Sequence, residues 1–144
     1  MIYTKQTRKA MDICFEAHKN QRDKSGQPYV FHPFHLAEQM NDEKTTVAAL
    51  LHDVVEDTDY TFDDLLKMGF DCDIVDALRL LTHDDETPYF DYVAALKDNP
   101  IARAVKLADL RHNSDLSRLD EDMINEKALA RNEKYKAAMN ILNK

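Results

Sequence analysis

Apolar positions recur along this chain at helical spacing, and its longest apolar stretch is where charged groups are least expected. Thr46 to Val55 holds no Gly or Pro and is apolar around its whole circumference, which predicts a buried helix. Thr7, Met11, Cys14 and His18 share one face of a first helix over Thr4 to Gln21. Ser25-Gly26 and Pro28 make Arg22 to Pro28 a loop, and Pro33 suits the first turn of a helix over Pro33 to Met40. Thr61-Phe62-Asp63-Asp64 reads as a capping start for a short helix that ends at Gly69. Further helices are expected over Cys72 to Leu81, Tyr89 to Lys97 and Ile101 to Asn113, the last burying Ala104, Val105, Leu107 and Ala108. A final amphipathic helix covers Asp122 to Leu142, with Ile124, Ala128, Tyr135, Met139 and Leu142 available for packing. With two glycines and no alternating segment, the expectation is an all-α fold, a single compact domain over 1–144.

Composition adds limits. The 144 residues are 44% hydrophobic and 32% charged, enough for one real core. Against 27 acidic residues stand 19 basic ones, a formal net charge of −8. A general basic surface for nucleic-acid polymers is therefore not expected, and a small anionic substrate would need a metal and a few local cations. Cys14 and Cys72 form no CxxC pair and read as small core residues of a reducing compartment. No apolar run reaches the ~20 residues of a membrane span. The first residues do not resemble a signal peptide, so a cytoplasmic setting is expected.

The chemistry starts in the buried helix, at His52-Asp53-Val54-Val55-Glu56-Asp57. An ionised carboxylate in such surroundings costs several kcal/mol, roughly, unless something positive compensates it. On one continuous helix His52 would stack toward Glu56 and Asp53 toward Asp57, gathering an imidazole and three carboxylates that a divalent cation would stabilise. His32, directly before Pro33, can point into a cleft; Asp109 is a second acid inside an apolar helix. Two imidazoles with two carboxylates suit Mn²⁺, Fe²⁺, Zn²⁺ or Ni²⁺ better than Ca²⁺. Sequence spacing by itself does not join His32 to Asp109. His18 reads as a core histidine, and His35, His83 and His112 as polar or supporting ones. Lys24 and Ser25 are either a polar turn or part of a site. The Tyr89-Phe90-Asp91-Tyr92 stripe reads as packing, and the charged last helix as a core cover or a self-association surface, which leaves a homo-oligomer open.

The order His32-Pro33, His52-Asp53, Asp109 resembles the HD superfamily of metal-dependent phosphohydrolases. More narrowly, the segment from Ala17 to Pro33, the motif His52 to Thr58, and Val105-Lys106-Leu107-Ala108-Asp109 with Asn113 are similar to the RelA/SpoT-type alarmone hydrolase domain. The resemblance runs over roughly residues 7 to 116 and has no counterpart of synthetase or regulatory domains, so it implies a stand-alone small alarmone hydrolase. It implies that His32, His52, Asp53 and Asp109 hold one Mn²⁺, that Glu56 and Asp57 handle the attacking water, and that Lys24, Ser25 and Asn113 line the nucleotide site. The implied reaction releases pyrophosphate from the ribose 3′ position of (p)ppGpp. Arg22, Lys24, Lys106 and Arg111 are the cations available to meet the phosphates. Two places depart from the family pattern: Asp23 stands where an arginine able to stack on the base is usual, and Ser114-Asp115-Leu116 replaces an Arg-Thr continuation. Alternatives are an HD-type nucleotidase or phosphatase for another small nucleotide, such as NADPH or a nucleoside monophosphate, and a non-catalytic alarmone-binding module.

Overall fold

Short polar caps set most of the helix starts. In the computed structural model, which covers residues 1–144, Thr4 caps α1 (Lys5–His18) by exchanging hydrogen bonds with Thr7. After the loop, α2 (Phe31–Glu38) begins two residues earlier than Pro33 suggested, which puts His32 in its first turn. Asp42 accepts the Thr45 N–H at 2.8 Å and starts α3 (Glu43–Leu51). The one-turn helix α4 (Val54–Asp57) follows, then α5 (Phe62–Lys67), opened by a reciprocal Thr61–Asp64 cap and closed at Gly69 with φ +94°. Next come α6 (Cys72–Leu81), α7 (Tyr89–Leu96) and α8 (Pro100–Asn113), the last capped by Asn99 with Pro100 in its first turn. Two 3₁₀ turns, Leu116–Arg118 and Glu121–Met123, lead to α9 (Glu126–Asn143), so the last helix starts later than the apolar pattern suggested. There is no strand; a lone antiparallel bridge between Arg22 and Pro28 pins the base of the loop.

Helix α3 forms the axis of the fold. Val47, Ala48, Ala49 and Leu50 are fully buried, and α3 packs against α1, α2, α6 and α8. Small Ala48 and Ala49 let neighbouring backbones approach closely, and Leu36, Leu78, Leu96 and Leu110 are buried in the same core. Helix α9 covers α7 and α8, burying Ala128, Asn132, Ala138 and Leu142, whereas Ile124 stays exposed. Cys14 is buried, but Cys72 is exposed in the first turn of α6, which corrects its reading as a core residue.

The expected continuous helix from Thr46 to Val55 is interrupted. His52 donates its Nδ1–H to the Ala49 carbonyl at 2.7 Å, the acceptor that an unbroken helix offers to the Asp53 N–H. Asp53 takes φ −110°, ψ 1°, outside the helical region, and α4 follows as a separate one-turn helix. His52 and Asp53 are thus a helix terminus; His52, Asp53 and Glu56 still line one cavity, whereas Asp57 does not.

With no exposure at Leu50, Leu50→Ala is expected to lower unfolding stability by about 2–5 kcal/mol. Urea melts followed by helical circular dichroism measure it.

Candidate metal centre

Three packed helices bring remote residues to one point. His32 on α2, His52 at the end of α3 and Asp109 in the third turn of α8 offer ligand atoms that all lie within 4.8 Å of one another. His32 Nε2 is 2.8 Å and His52 Nε2 3.8 Å from Asp109 Oδ1. Asp53 Oδ2 stands 3.1 Å from His52 Nε2 and extends the group toward solvent. His32, His52 and Asp109 are all buried, whereas Asp53 is partly open.

The hydrogen bond of His52 assigns a tautomer that suits a metal, while His32 Nε2 here donates to Asp109 at 2.8 Å, a proton that an ion would replace. Because His52 Nδ1 serves the Ala49 carbonyl, its buried Nε2 is left as a lone pair with no hydrogen-bond partner, aimed at two carboxylates. Lone pair against anion is repulsive, so the group needs a proton or a cation. In the protein alone the proton supplies the charge. Burial opposes it, but Asp53 and Asp109 override that and push His52 up to about 9. His32 Nδ1 lies 2.7 Å from His112 Nδ1, and only one of the two can donate. Ligation through His32 Nε2 places the proton on His32 Nδ1, donated to His112, the orienting partner that metal-binding histidines usually have. Burial, then the charge of Arg118, pushes His112 down to about 4, so it stays a neutral acceptor. These residues fit a divalent ion.

The carboxylates are held ionised. Burial disfavours charge on Asp109, but Lys106 Nζ at 2.9 Å and the two histidines hold it well below the usual carboxylate range. Asn113 also donates to Asp109, at 3.1 Å. Asp53 is likewise drawn down to about 2, chiefly by His52 against the cost of burial, and accepts a hydrogen bond from the Tyr29 hydroxyl.

Glu56 and Asp57 separate. Glu56 shares a cavity of about 260 Å³ with His52, Asp53 and Asp109, and accepts the His83 N–H at 3.2 Å. Burial and the Asp53 charge raise its carboxyl. Asp57 does not line that cavity: it faces α1, 3.8 Å from His18 Nδ1 and 3.3 Å from Gln21 Nε2, which donates to it. A second cavity of about 300 Å³ adjoins the first through Tyr29, His32 and Asn113, and Lys24 and Ser25 line it. Ser25 donates its hydroxyl to Asp23 at 2.6 Å. Burial and the charges of Arg131, Lys127 and Lys134 lower Lys24, a cation crowded by cations. Of the other expected cations, Arg22 lines this outer cavity, Lys106 serves Asp109, and Arg111 is exposed outside both.

Sequence reasoning passed over Tyr29, Arg118, Arg131 and Tyr135, and gave His112 only a general supporting role. Tyr29 stood inside the quoted Ala17 to Pro33 segment and was within reach; Arg118, Arg131 and Tyr135 carried no local signal.

A family profile describing an HD domain matches residues 10–112. The chain belongs to the HD-domain family. A GTP pyrophosphokinase of Streptomyces coelicolor is 34% identical over 126 residues, covering 76% of this chain and 14% of that protein. The bifunctional (p)ppGpp synthase/hydrolase SpoT of Escherichia coli K12 is 32% identical over 124 residues, covering 76% of this chain and 18% of SpoT. A guanosine-3′,5′-bis(diphosphate) 3′-pyrophosphohydrolase of Aquifex aeolicus is 39% identical over 67 residues, covering 44% of this chain and 10% of that enzyme. This HD domain therefore spans less than a fifth of the length of these curated relatives. A solved structure described as a metazoan ortholog of SpoT that hydrolyzes ppGpp superposes with a TM-score of 0.71 at 26% identity, covering 99% of this chain and 85% of that one. The metal-competent group lies inside the matched HD-domain segment; Arg118, Arg131 and Tyr135 lie beyond it.

Metal binding must displace the His52 proton, so affinity for Mn²⁺ is expected to fall as pH drops below about 9, by up to tenfold per pH unit for one proton. Calorimetry in buffers of different ionisation enthalpy measures the released proton, and a pH-independent affinity would contradict the assignment. Asp109→Ala should abolish binding, read by elemental analysis after gel filtration.

Proposed function

We propose that this chain is a metal-dependent phosphohydrolase that removes the 3′-pyrophosphate of (p)ppGpp, leaving GDP or GTP, with residues 1–144 as one hydrolase domain. The carrying observation is the pair of joined cavities. One holds the acidic, metal-competent group and the other is walled by cations, and Tyr29, His32 and Asn113 belong to both. In a chain of net charge −8, Arg22, Lys24, Arg118 and Arg131 gather on one cavity that holds only Asp23 and Asp115 as acids. A substrate with its scissile phosphate at the inner cavity would extend its nucleotide into the outer one. The names carried by the Aquifex and Escherichia relatives, and the activity described for the metazoan structural neighbour, support the same substrate.

In this reading His32, His52, Asp53 and Asp109 hold one ion, and their mixed nitrogen and oxygen donors suit Mn²⁺. The bound ion supplies Lewis acidity toward phosphoryl oxygens and toward water. Glu56 takes the proton of the attacking water; its raised carboxyl is tuned for that role. The bond between ribose O3′ and the adjacent phosphorus breaks, pyrophosphate departs with the water oxygen, and O3′ regains a proton. Asn113, donating to Asp109 and lining both cavities, orients the acid and meets the sugar. Asp57 acts at one remove, holding Gln21 and with it the base of the loop that carries Lys24 and Ser25. The unpaired Cys14 and Cys72 agree with a reducing, cytoplasmic setting.

Asp23, standing where the resemblance has arginine, favours a second reading: a phosphatase for another small nucleotide, such as NADPH or a nucleoside monophosphate. Incubation with Mn²⁺ and each candidate, detecting pyrophosphate and orthophosphate separately, distinguishes them. Pyrophosphate from ppGpp is expected; orthophosphate from the others alone would establish the second reading, and binding without product a non-catalytic module. Glu56→Gln should retain the ion and lower turnover by about 10²- to 10⁴-fold. Unchanged turnover would remove Glu56 from its role.

A further inference from the structure

Asp23 raises a physical problem: an acid sits in a cavity whose ligand is anionic. Its contacts resolve it. Asp23 Oδ1 accepts the Ser25 N–H at 2.9 Å, the Ser25 hydroxyl at 2.6 Å and the Gln27 N–H at 3.0 Å. Gly26 makes the turn possible with φ +86°. Asp23 Oδ2 accepts Arg118 Nη2 at 3.3 Å, and Arg118 Nη1 donates to the His112 carbonyl at 2.8 Å. The carboxylate is therefore consumed in folding the loop and in gripping a guanidinium from the 3₁₀ turn after α8, with the partner side chains 15% and 25% exposed.

These two bonds hold the guanidinium by its edges, through both terminal nitrogens. What an edge-bound guanidinium still offers a ligand is its planar face, which is weakly hydrated and stacks on flat π systems. Arg118 lines the outer cavity together with Leu119, Tyr29 and Tyr135, so apolar and flat groups lie beside the phosphate-binding cations Lys24 and Arg131. We propose that Arg118, clamped by Asp23 and the His112 carbonyl, is the stacking platform for the nucleobase and sets the preference for a base-bearing ligand. This rests on the reading of the outer cavity as a nucleotide site.

The test titrates guanosine 5′-monophosphate and ribose 5-phosphate into the Mn²⁺-loaded full chain by calorimetry. The wild type should prefer the nucleotide. Arg118→Ala should weaken the nucleotide about tenfold or more, the scale of one lost stacking contact, and weaken ribose 5-phosphate, which has no base to stack, distinctly less. Arg118→Lys keeps the charge but not the plane and should lose the same preference; it also carries the test if the alanine variant fails to fold. Asp23→Asn, whose amide oxygen can still accept the loop N–H groups but whose side chain no longer pairs with the guanidinium, should weaken the nucleotide more than ribose 5-phosphate, and Asp23→Asn/Arg118→Ala should be no worse than Arg118→Ala. Equal losses for both ligands, full affinity in Arg118→Lys, or no wild-type preference for the base would overturn the proposal. If the wild type releases no pyrophosphate from ppGpp yet shows the Arg118-dependent preference, the hydrolase reading falls and this one stands. Pyrophosphate release with unaltered base preference in the variants gives the reverse.

Discussion

The structure is organised around a carboxylate that the protein interior would ordinarily reject. Asp109 is buried in the middle of α8, where an uncompensated charge would cost several kcal/mol, roughly, and shift toward its neutral form. It stays ionised because groups from three helices meet it: Lys106 and Asn113 from its own helix, His32 from α2 and, more distantly, His52 from the end of α3. Each partner fixes a helix position, so compensation of one charge and packing of the core are a single constraint. Where Asp109 is satisfied, the metal-competent group is already assembled.

Around that centre, acids and bases are segregated over a short distance. The inner cavity gathers Asp53, Glu56 and Asp109, while the outer one gathers Arg22, Lys24, Arg118 and Arg131. A polyanionic ligand that reaches both can place a phosphate against the acidic side only if a cation stands between. The charge pattern therefore asks for a metal on one side and a phosphate-rich body on the other. Helix α9 supplies Arg131 and Tyr135 to the outer wall while covering α7 and α8, so its charged surface has a task in the cavity.

The orienting partners of the histidines explain why the site needs so little polar material. One backbone carbonyl, that of Ala49, both ends α3 and sets the His52 tautomer. One imidazole, His112, stands 2.7 Å from His32 Nδ1, and its own carbonyl holds Arg118. The same short segment after Asp109 thus touches both the metal-competent group and the outer cavity, which couples the geometry of the two.

By itself the sequence determined the helical fold class, most helix starts and the identity of the buried helix, because a cap such as Thr61–Asp64 is a contact within one turn and apolar periodicity is local. It also carried His32, His52, Asp53 and Asp109 as candidates, though only the family order joined His32 to Asp109. Tertiary structure decided the rest. The break after Leu51 depends on a side chain competing with the backbone for one carbonyl, which hydrophobic pattern does not register. The Asp23–Arg118 pair spans 95 residues, and no local pattern marks an ion pair between a loop and a distant turn. Propensity acts over a few residues, whereas charge compensation acts through space, so a chain can announce its helices and still conceal which groups they bring face to face.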